Sequence, residues 1–216
     1  MRNLGKRRAL TLLGLACLLV STTLAAAMWW DLFGTGIATK RAQAGLEQEF
    51  SASLAPSTAP DTTSLTSATP SPIPSSSAPS RPYLADGEPV ARLEIPSLGL
   101  KQIVVMGTTD AVLKKGPGLF RTAEWPGEIG NTTIAGHRTS HGAPFRHVDK
   151  LAVGDRVTLT TQDGSFIYSV TETFIVQGND TSPLKNTPGE QVLTLVSCHP
   201  LHSTAKRIIV RATLVP

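Results

Sequence analysis

Residues 191–215 read QVLTLVSCHPLHSTAKRIIVRATLV, and this stretch indicates the fold most directly. It contains two apolar runs rich in Val, Ile, Leu and Thr, 191–198 and 206–215, with a turn-forming segment between them. β-Branched residues favour strands, and proline cannot donate to a strand ladder, so the first strand is predicted to end near Pro200. Cys198 is therefore predicted to lie at a strand end, where a rigid backbone meets an open rim.

Five further runs of the same kind precede this pair. They are short, rich in β-branched residues and separated by Gly, Pro and Asp turns. They are VARLEI (90–95), QIVV (102–105), TTIA (132–135), RVTLTT (156–161) and FIYSVTETFIV (166–176). Helical material is predicted only in short pieces, near residues 110–115 and 144–151. The pattern predicts an all-β domain over residues 83–216, and by itself it fits either a sandwich or a closed barrel.

The first 30 residues are typical of a membrane anchor. Residues 1–8 hold four basic and no acidic side chains, and residues 9–30 are 22 consecutive uncharged residues. At about 1.5 Å per residue, a helix of this length spans the ~30 Å hydrocarbon core of a bilayer. We therefore predict a cytoplasmic basic head, a single transmembrane signal-anchor at 9–30 and a domain outside the plasma membrane. The alternative is a cleaved signal peptide, because Ala25 and Ala27 form a small-x-small site.

Residues 31–82 are predicted to connect the anchor to the domain. The mixed-charge stretch within 31–50 is compatible with a short juxtamembrane helix that is not stable on its own, and no function is assigned to it. Ser, Thr and Pro make up 21 of the 30 residues at 51–80. This composition buries too little apolar surface to fold, so it predicts an extended tether.

The formal net charge of +4 does not indicate a nucleic-acid partner. Residues 1–30 alone carry +4, whereas residues 83–216 hold thirteen basic and twelve acidic side chains. The basicity is therefore a membrane-orientation signal, and a basic groove for nucleic acid is not predicted.

Cys198 is the only cysteine of the predicted domain, because Cys17 falls within the apolar segment. An intramolecular disulfide is excluded there, which leaves an inert buried thiol, a thiol paired between chains, or a reactive nucleophile. A nucleophilic thiol needs a histidine and a cation nearby, because the thiolate is the reactive form. His137 ends the predicted strand TTIAGH and is followed by Arg138, so its imidazole is able to face a rim as well.

Several segments share a pattern with one enzyme family. They are TIAGHR (133–138), GAPF (142–145), TLVSC (194–198), Arg207 nine residues after the cysteine, and the upstream LEIPSLGL (93–100). In these segments, and in the order His, Cys, Arg, the chain resembles a sortase, a membrane-anchored cysteine transpeptidase of Gram-positive bacteria. The resemblance implies a closed eight-stranded β-barrel. GHRTSHGAPF and the CHP after the strand are most similar to class E sortases of actinobacteria.

The resemblance implies three catalytic residues. Cys198 is the expected nucleophile, His137 the general acid/base, and Arg207 the cation that holds the substrate carbonyl or the oxyanion. Lys206 and Arg211 are the competing cations. The implied reaction cleaves a C-terminal LAXTG- or LPXTG-type sorting signal between Thr and Gly through a thioacyl enzyme.

Four residues are expected at the substrate. Alternation places Thr194 and Val196 on the face of Cys198. Ser197 replaces the threonine of the family's TLxTC motif and keeps the hydroxyl. His141 stands where class E sortases commonly have a tyrosine that is associated with the LAXTG preference, which leaves the signal open.

The implied partners follow from the same resemblance. They are surface proteins that bear a C-terminal sorting signal, and an amine of the peptidoglycan precursor lipid II as acceptor. No cofactor and no metal are expected. The five histidines include pairs spaced by four and by three residues, but they fall in loops rich in Gly, Ser and Pro rather than on one helical face.

Two alternatives remain open at this point. The first is another wall-active cysteine enzyme, although SHG at 140–142 lacks the cysteine that L,D-transpeptidases place there, and papain-like peptidases usually run Cys before His. The second is a tethered, non-catalytic binding module of the cell surface with an inert buried Cys198.

Overall fold

Eight β-strands close into a barrel in the computed structural model, which describes residues 2–29, 35–54 and 83–215. Their spatial order is β1-β2-β3-β4-β7-β8-β6-β5. The strands are β1 (Pro89–Ile95), β2 (Leu100–Met106), β3 (Gly118–Leu119), β4 (Gly130–Ala135), β5 (Arg156–Thr161), β6 (Gly164–Gln177), β7 (Gln191–His199) and β8 (Lys206–Leu214). The closed eight-stranded barrel with short helices is confirmed.

Two of the strand pairings are parallel, β2 with β3 and β4 with β7, and the others are antiparallel. The β4–β7 pairing matters most for function, because parallel neighbours end at the same rim of the barrel. Ala135 lies opposite Val196 at these two ends. β8 then runs back along β7 and begins at that same rim.

Alternating side chains fill the barrel. Leu193 and Leu195 of β7 belong to the interior cluster, together with Tyr168 of β6. The buried Tyr168 hydroxyl accepts a 2.8 Å hydrogen bond from the Gly127 N–H, so its polar end is satisfied. A fully buried aliphatic side chain such as Leu193 or Leu195 contributes about 1.5–3 kcal/mol to folding. Along β7 the side chains from Val192 to Ser197 are buried, and only Gln191 and the final residues Cys198 and His199 are partly exposed.

The helices are α1 (Arg2–Trp29), α2 (Thr35–Leu54) and the one-turn α3 (Asp110–Leu113), in which the Thr109 hydroxyl accepts from Val112 N–H. Three 3-10 turns add to them, at Pro96–Leu98, Val148–Lys150 and Ser182–Leu184. Within the described ranges, no helix combines the length and the apolar character needed to cross a membrane. The Ser/Thr/Pro-rich segment lies outside the described residues from position 55 to position 82.

Helix α2 packs against the outside of the barrel. Leu46 and Phe50 form a second apolar cluster with Ile103 and Val105 of β2 and with Val112 of α3. The sequence analysis placed a short helix within 31–50 and gave it no function. The structure extends this helix to Leu54 and supplies the stability that the isolated segment lacks, by burying one of its faces.

A polar anchor accompanies that packing. The Gln43 side chain accepts from Ile103 N–H (2.7 Å) and donates to Ile103 O (3.0 Å) and Lys115 O (2.9 Å), and so covers backbone groups of β2 that β3 does not reach. One turn earlier in α2, Thr39 lies close to Gly142. A Cβ added at position 142 would be 3.3 Å from Thr39 Cγ2. Helix α2 therefore reaches the loop that follows β4.

Candidate active site

Three of the predicted residues meet at one rim of the barrel. Cys198 lies directly opposite Arg207 in the β7–β8 pairing. The β4–β7 register ends with Ala135 opposite Val196, and the Gly136 N–H donates to Val196 O (3.1 Å), so His137, two residues after the end of β4, emerges at the rim where Cys198 lies two residues after Val196. Cys198 is a free cysteine of intermediate exposure. The strands thus bring together a thiol, an imidazole and a guanidinium.

Ser197 joins the two parallel strands beneath this site. Its side chain is buried, and its hydroxyl donates a 2.7 Å hydrogen bond to Gly136 O. It therefore lies on the face opposite to Cys198 and holds the residue that precedes His137. Thr194 and Val196 share the Cys198 face, as alternation predicts.

His137 and His141 form a pair of rings. Their centroids are 4.9 Å apart and their planes are tilted by 33°. Burial lowers the pKa of His137 below its ordinary value, and charge on His141 and Lys114 lowers that pKa further, while Asp110 opposes them. In the described part of the chain, His137 Nε2 and His141 Nδ1 are buried without a hydrogen-bond partner. A lowered pKa keeps the His137 imidazole neutral to lower pH and makes its protonated form a stronger acid.

Arg207 is held by the turn that precedes β8. Its Nη1 donates to Thr204 O (2.8 Å) and Lys206 O (3.0 Å). Lys206 is exposed and lies opposite His199. Arg211 lies on the same face as Arg207 but opposite Thr194, where it pairs with Glu172 and stacks over the Phe174 ring. Of the three candidate cations, Arg207 is therefore the one that faces Cys198.

On the side of Val196 that is away from Cys198, the outer face of β4 and β7 is covered. The Thr194 hydroxyl donates to Asn131 Oδ1 (2.7 Å), and Asn131 Nδ2 donates to Pro183 O (2.9 Å) and Lys185 O (3.0 Å). This buried relay ties the segment between β6 and β7 to the strands. The sequence analysis gave Asn131 no role.

Arg138 is the second residue that the sequence analysis passed over. It follows His137 directly, yet its guanidinium is buried and contacts the end of β7. The sequence did show an arginine at a strand-to-loop junction, directly after the predicted catalytic histidine. Sequence alone, however, does not distinguish a buried guanidinium from a solvated one.

The histidines do not assemble into a metal site. Across residues 2–29, 35–54 and 83–215, no three His, Cys, Asp or Glu side chains are grouped so that they could hold a metal ion. His199 Nδ1 instead lies 3.0 Å from Arg138 Nη1, and His141 stacks on His137.

Comparison with known proteins gives a consistent result. Residues 93–215 match the family model of the sortase domain. Sortase D of Bacillus subtilis is 32% identical over 114 residues, which are 53% of this chain and 56% of that protein. Sortase SrtE1 of Streptomyces coelicolor is 31% identical over 145 residues, 60% of this chain and 41% of that protein. The chain thus spans about half the length of these curated relatives.

Solved structures agree with the barrel. A Clostridium perfringens sortase D5 transpeptidase aligns with a TM-score of 0.58 and 34% identity, over 62% of this chain and 83% of the other. A Clostridium perfringens sortase C with a C-terminal cell wall sorting motif aligns with a TM-score of 0.58 and 25% identity, over 62% of this chain and 74% of the other.

Proposed function

This chain belongs to the sortase family, and from that premise we propose that it is a cysteine transpeptidase that cuts a C-terminal sorting signal between Thr and Gly and transfers the new acyl end to an amine. One observation carries the proposal. Cys198 lies opposite Arg207 in the β7–β8 pairing, and His137 follows the end of β4 beside β7, so the family's order His, Cys, Arg along the chain is accompanied by a shared rim that supports the proposal.

The first half of the reaction forms a thioacyl enzyme. The Cys198 thiolate attacks the carbonyl carbon of the signal's threonine, and the carbonyl π electrons move onto oxygen as an oxyanion. Arg207 lies opposite Cys198 and donates to that oxygen, a role that suits the planar set of donors of a guanidinium. The oxyanion then collapses, the C–N bond breaks, and protonated His137 gives its proton to the departing glycine amine.

The second half reverses these roles. An incoming amine attacks the thioester carbonyl, neutral His137 accepts the amine proton, and the Cys198 thiolate leaves with the C–S electron pair. The lowered pKa of His137 keeps the base neutral for the second half, and for the first half it makes the protonated form a stronger acid but a less populated one. Water in place of the amine would give hydrolysis.

The signal is proposed to be of the LAXTG/LPXTG type. The sorting motif named with the Clostridium perfringens sortase C supports a C-terminal signal as the substrate class. LAXTG is included because the sequence pattern resembles class E sortases. His141, beside the catalytic histidine, is the residue of this chain on which that preference would depend.

The acceptor of the transfer and the cellular location of the chain are part of the same proposal. The acceptor is an amine of lipid II, and the donors are surface proteins that carry the signal. Residues 9–30 anchor the chain in the plasma membrane, with residues 1–8 in the cytoplasm and the barrel outside. The support for this anchor is the sequence itself, in which a basic head precedes 22 uncharged residues.

The proposal is tested by mass spectrometry of a transfer reaction. The full chain in detergent is mixed with a LAXTG or LPXTG peptide, with and without a peptide amine that mimics the acceptor. Ligation of the truncated signal to the amine is expected for the wild type and not for Cys198→Ala. Unchanged peptides with the wild type would contradict the proposed signal class.

Digestion of intact protoplasts by an external protease tests the location, because the barrel should be accessible and residues 1–8 protected.

A further inference from the structure

The guanidinium of Arg138 lies in the interior of the site. Only 2% of its side chain is exposed, whereas its partner Asp149 is 44% exposed. Arginine is rarely buried this completely, because removing a charge from water is costly unless partners compensate for it. A buried charge next to the catalytic histidine therefore needs an explanation.

The partners of Arg138 belong to two different parts of the fold. On the loop after β4, its Nη2 pairs with Asp149 Oδ1 (2.9 Å) and its Nε donates to Arg146 O (3.4 Å). At the end of β7, its Nη1 donates to Cys198 O (3.3 Å) and to His199 Nδ1 (3.0 Å). One guanidinium thus bridges the segment that carries the imidazole and the segment that carries the thiol.

We propose that Arg138 is a positioning residue for the transfer reaction, which sets the Cys198 thiol against the His137 imidazole. The inference rests on the proposed function. His137 and Arg138 are consecutive, so a guanidinium fixed by its partners restrains the backbone next to His137. The contact with the Cys198 carbonyl fixes the other reacting residue to the same group.

The contacts of Arg138 also extend toward Arg207, the proposed oxyanion donor. Arginine has donors only, so His199 Nδ1 must accept and the His199 ring carries no proton on that nitrogen. His199 is the last residue of β7, and Thr204 of the turn that follows holds Arg207 through its carbonyl. Arg138 therefore contacts or adjoins segments that carry all three catalytic residues.

The first test separates positioning from folding. Arg138→Met is compared with Arg146→Met, which removes the same charge from an exposed side chain of the same loop. For Arg138→Met we expect kcat on the signal peptide to fall by about 100-fold while KM changes by less than about twofold, because misplaced reacting groups lower the rate of chemistry and not of binding. Arg146→Met should keep both constants within about twofold. A folded Arg138→Met variant with wild-type kcat would overturn the inference.

A second pair of variants keeps the test valid if Arg138→Met does not fold. His199→Gln retains an acceptor for Arg138, and His199→Leu does not. We expect kcat to fall with leucine by about tenfold and to recover most of the way with glutamine. Equal kcat values for the two variants would count against the bridge.

A substrate-free measurement distinguishes a failure of this inference from a failure of the proposed function. In a Cys17→Ala background, the rate of Cys198 labelling by a neutral methanethiosulfonate reports thiolate formation without any peptide. Arg138→Met and His199→Leu should label about tenfold more slowly than the parent protein. If no peptide acylates the wild type but these rates differ, the signal is wrong and the positioning role stands. Equal labelling rates would refute the positioning role.

Discussion

At the scale of single residues, the site depends on two imidazoles in contact. His141 takes a left-handed backbone conformation (φ 51°), which turns it into the site beside His137. Because charge on one ring opposes charge on the other, His141 contributes to the lowered pKa of His137 after the larger contribution of burial. His141 thus tunes the acidity of His137, the proposed catalytic histidine.

Replacing His141 by phenylalanine should raise the pKa of His137, because the ring contact remains while the neighbouring charge is lost. Neutral His137 would then be present only at higher pH. We expect the acidic limb of the pH–rate profile of aminolysis to move to higher pH. The rate is measured in single turnover from a preformed thioacyl enzyme. His147→Phe, at an exposed position of the same loop, is the matched control. An acidic limb that stays in place or moves down would contradict this account of the pair.

Arg207 and Arg211 provide a matched pair of guanidiniums on one strand face. Arg207 lies opposite Cys198, whereas Arg211 lies opposite Thr194 and is paired with Glu172. Arg207→Ala is expected to lower kcat by about 100-fold or more, the usual loss when an oxyanion donor is removed. Arg211→Ala should lower it by less than about threefold. The reverse order in peptide-cleavage assays would assign the cation role to Arg211.

At the scale of elements, helix α2 belongs to the folded unit. Thr39, Gln43, Leu46 and Phe50 follow the helical spacing of one face, and all four contact β2, α3 or the loop after β4. This stripe was present in the sequence, but its two apolar residues are too few to distinguish a docked helix from a solvated one. The strands were predictable from alternation and β-branching, whereas the two-residue β3 was not, because its pairing depends on the neighbouring strands.

Truncating Phe50 should loosen this attachment. Its side chain is buried between α2 and the barrel, so Phe50→Ala is expected to lower the free energy of unfolding by about 3 kcal/mol. Denaturant titration of the full chain in detergent measures the loss. Ile37→Ala, at an exposed position of the same helix, should change the stability by less than about 0.5 kcal/mol. Equal stabilities of the two variants would show that α2 does not contribute to the folded unit.

The segment between β6 and β7 depends on Asn131. This asparagine is fully buried and joins Thr194 to two carbonyls of the segment. Asn131→Ala leaves those partners unsatisfied, at a cost of about 2 kcal/mol. We expect faster amide hydrogen exchange in residues 181–187 and no change in α2, with the exposed Asn179→Ala as control. Unchanged exchange in 181–187 would mean that other contacts hold the segment.

At the scale of the whole molecule, the fold explains how three residues that are far apart in sequence come to lie at one rim of the barrel. His137 and Cys198 are 61 positions apart, and only the parallel β4–β7 pairing brings their strand ends to one rim. The strand runs predicted an all-β domain, and the family resemblance implied the closed barrel, which is confirmed. The catalytic roles of His137, Cys198 and Arg207 stay a prediction. The strand runs and the motifs did not predict Arg138 or Asn131, because hydrogen bonds to backbone carbonyls of distant segments leave no pattern in a single sequence.

The most direct test of the central claim, that Cys198 is the nucleophile of a sortase-type transfer, is the intact mass of the full chain after incubation with a LAXTG peptide without acceptor. The account predicts a mass gain on Cys198 equal to the peptide truncated after threonine, its release by hydroxylamine as expected of a thioester, and no gain with Cys198→Ala. A wild-type chain that gains no mass with either LAXTG or LPXTG, although Cys198 still labels rapidly with a thiol reagent, would contradict it.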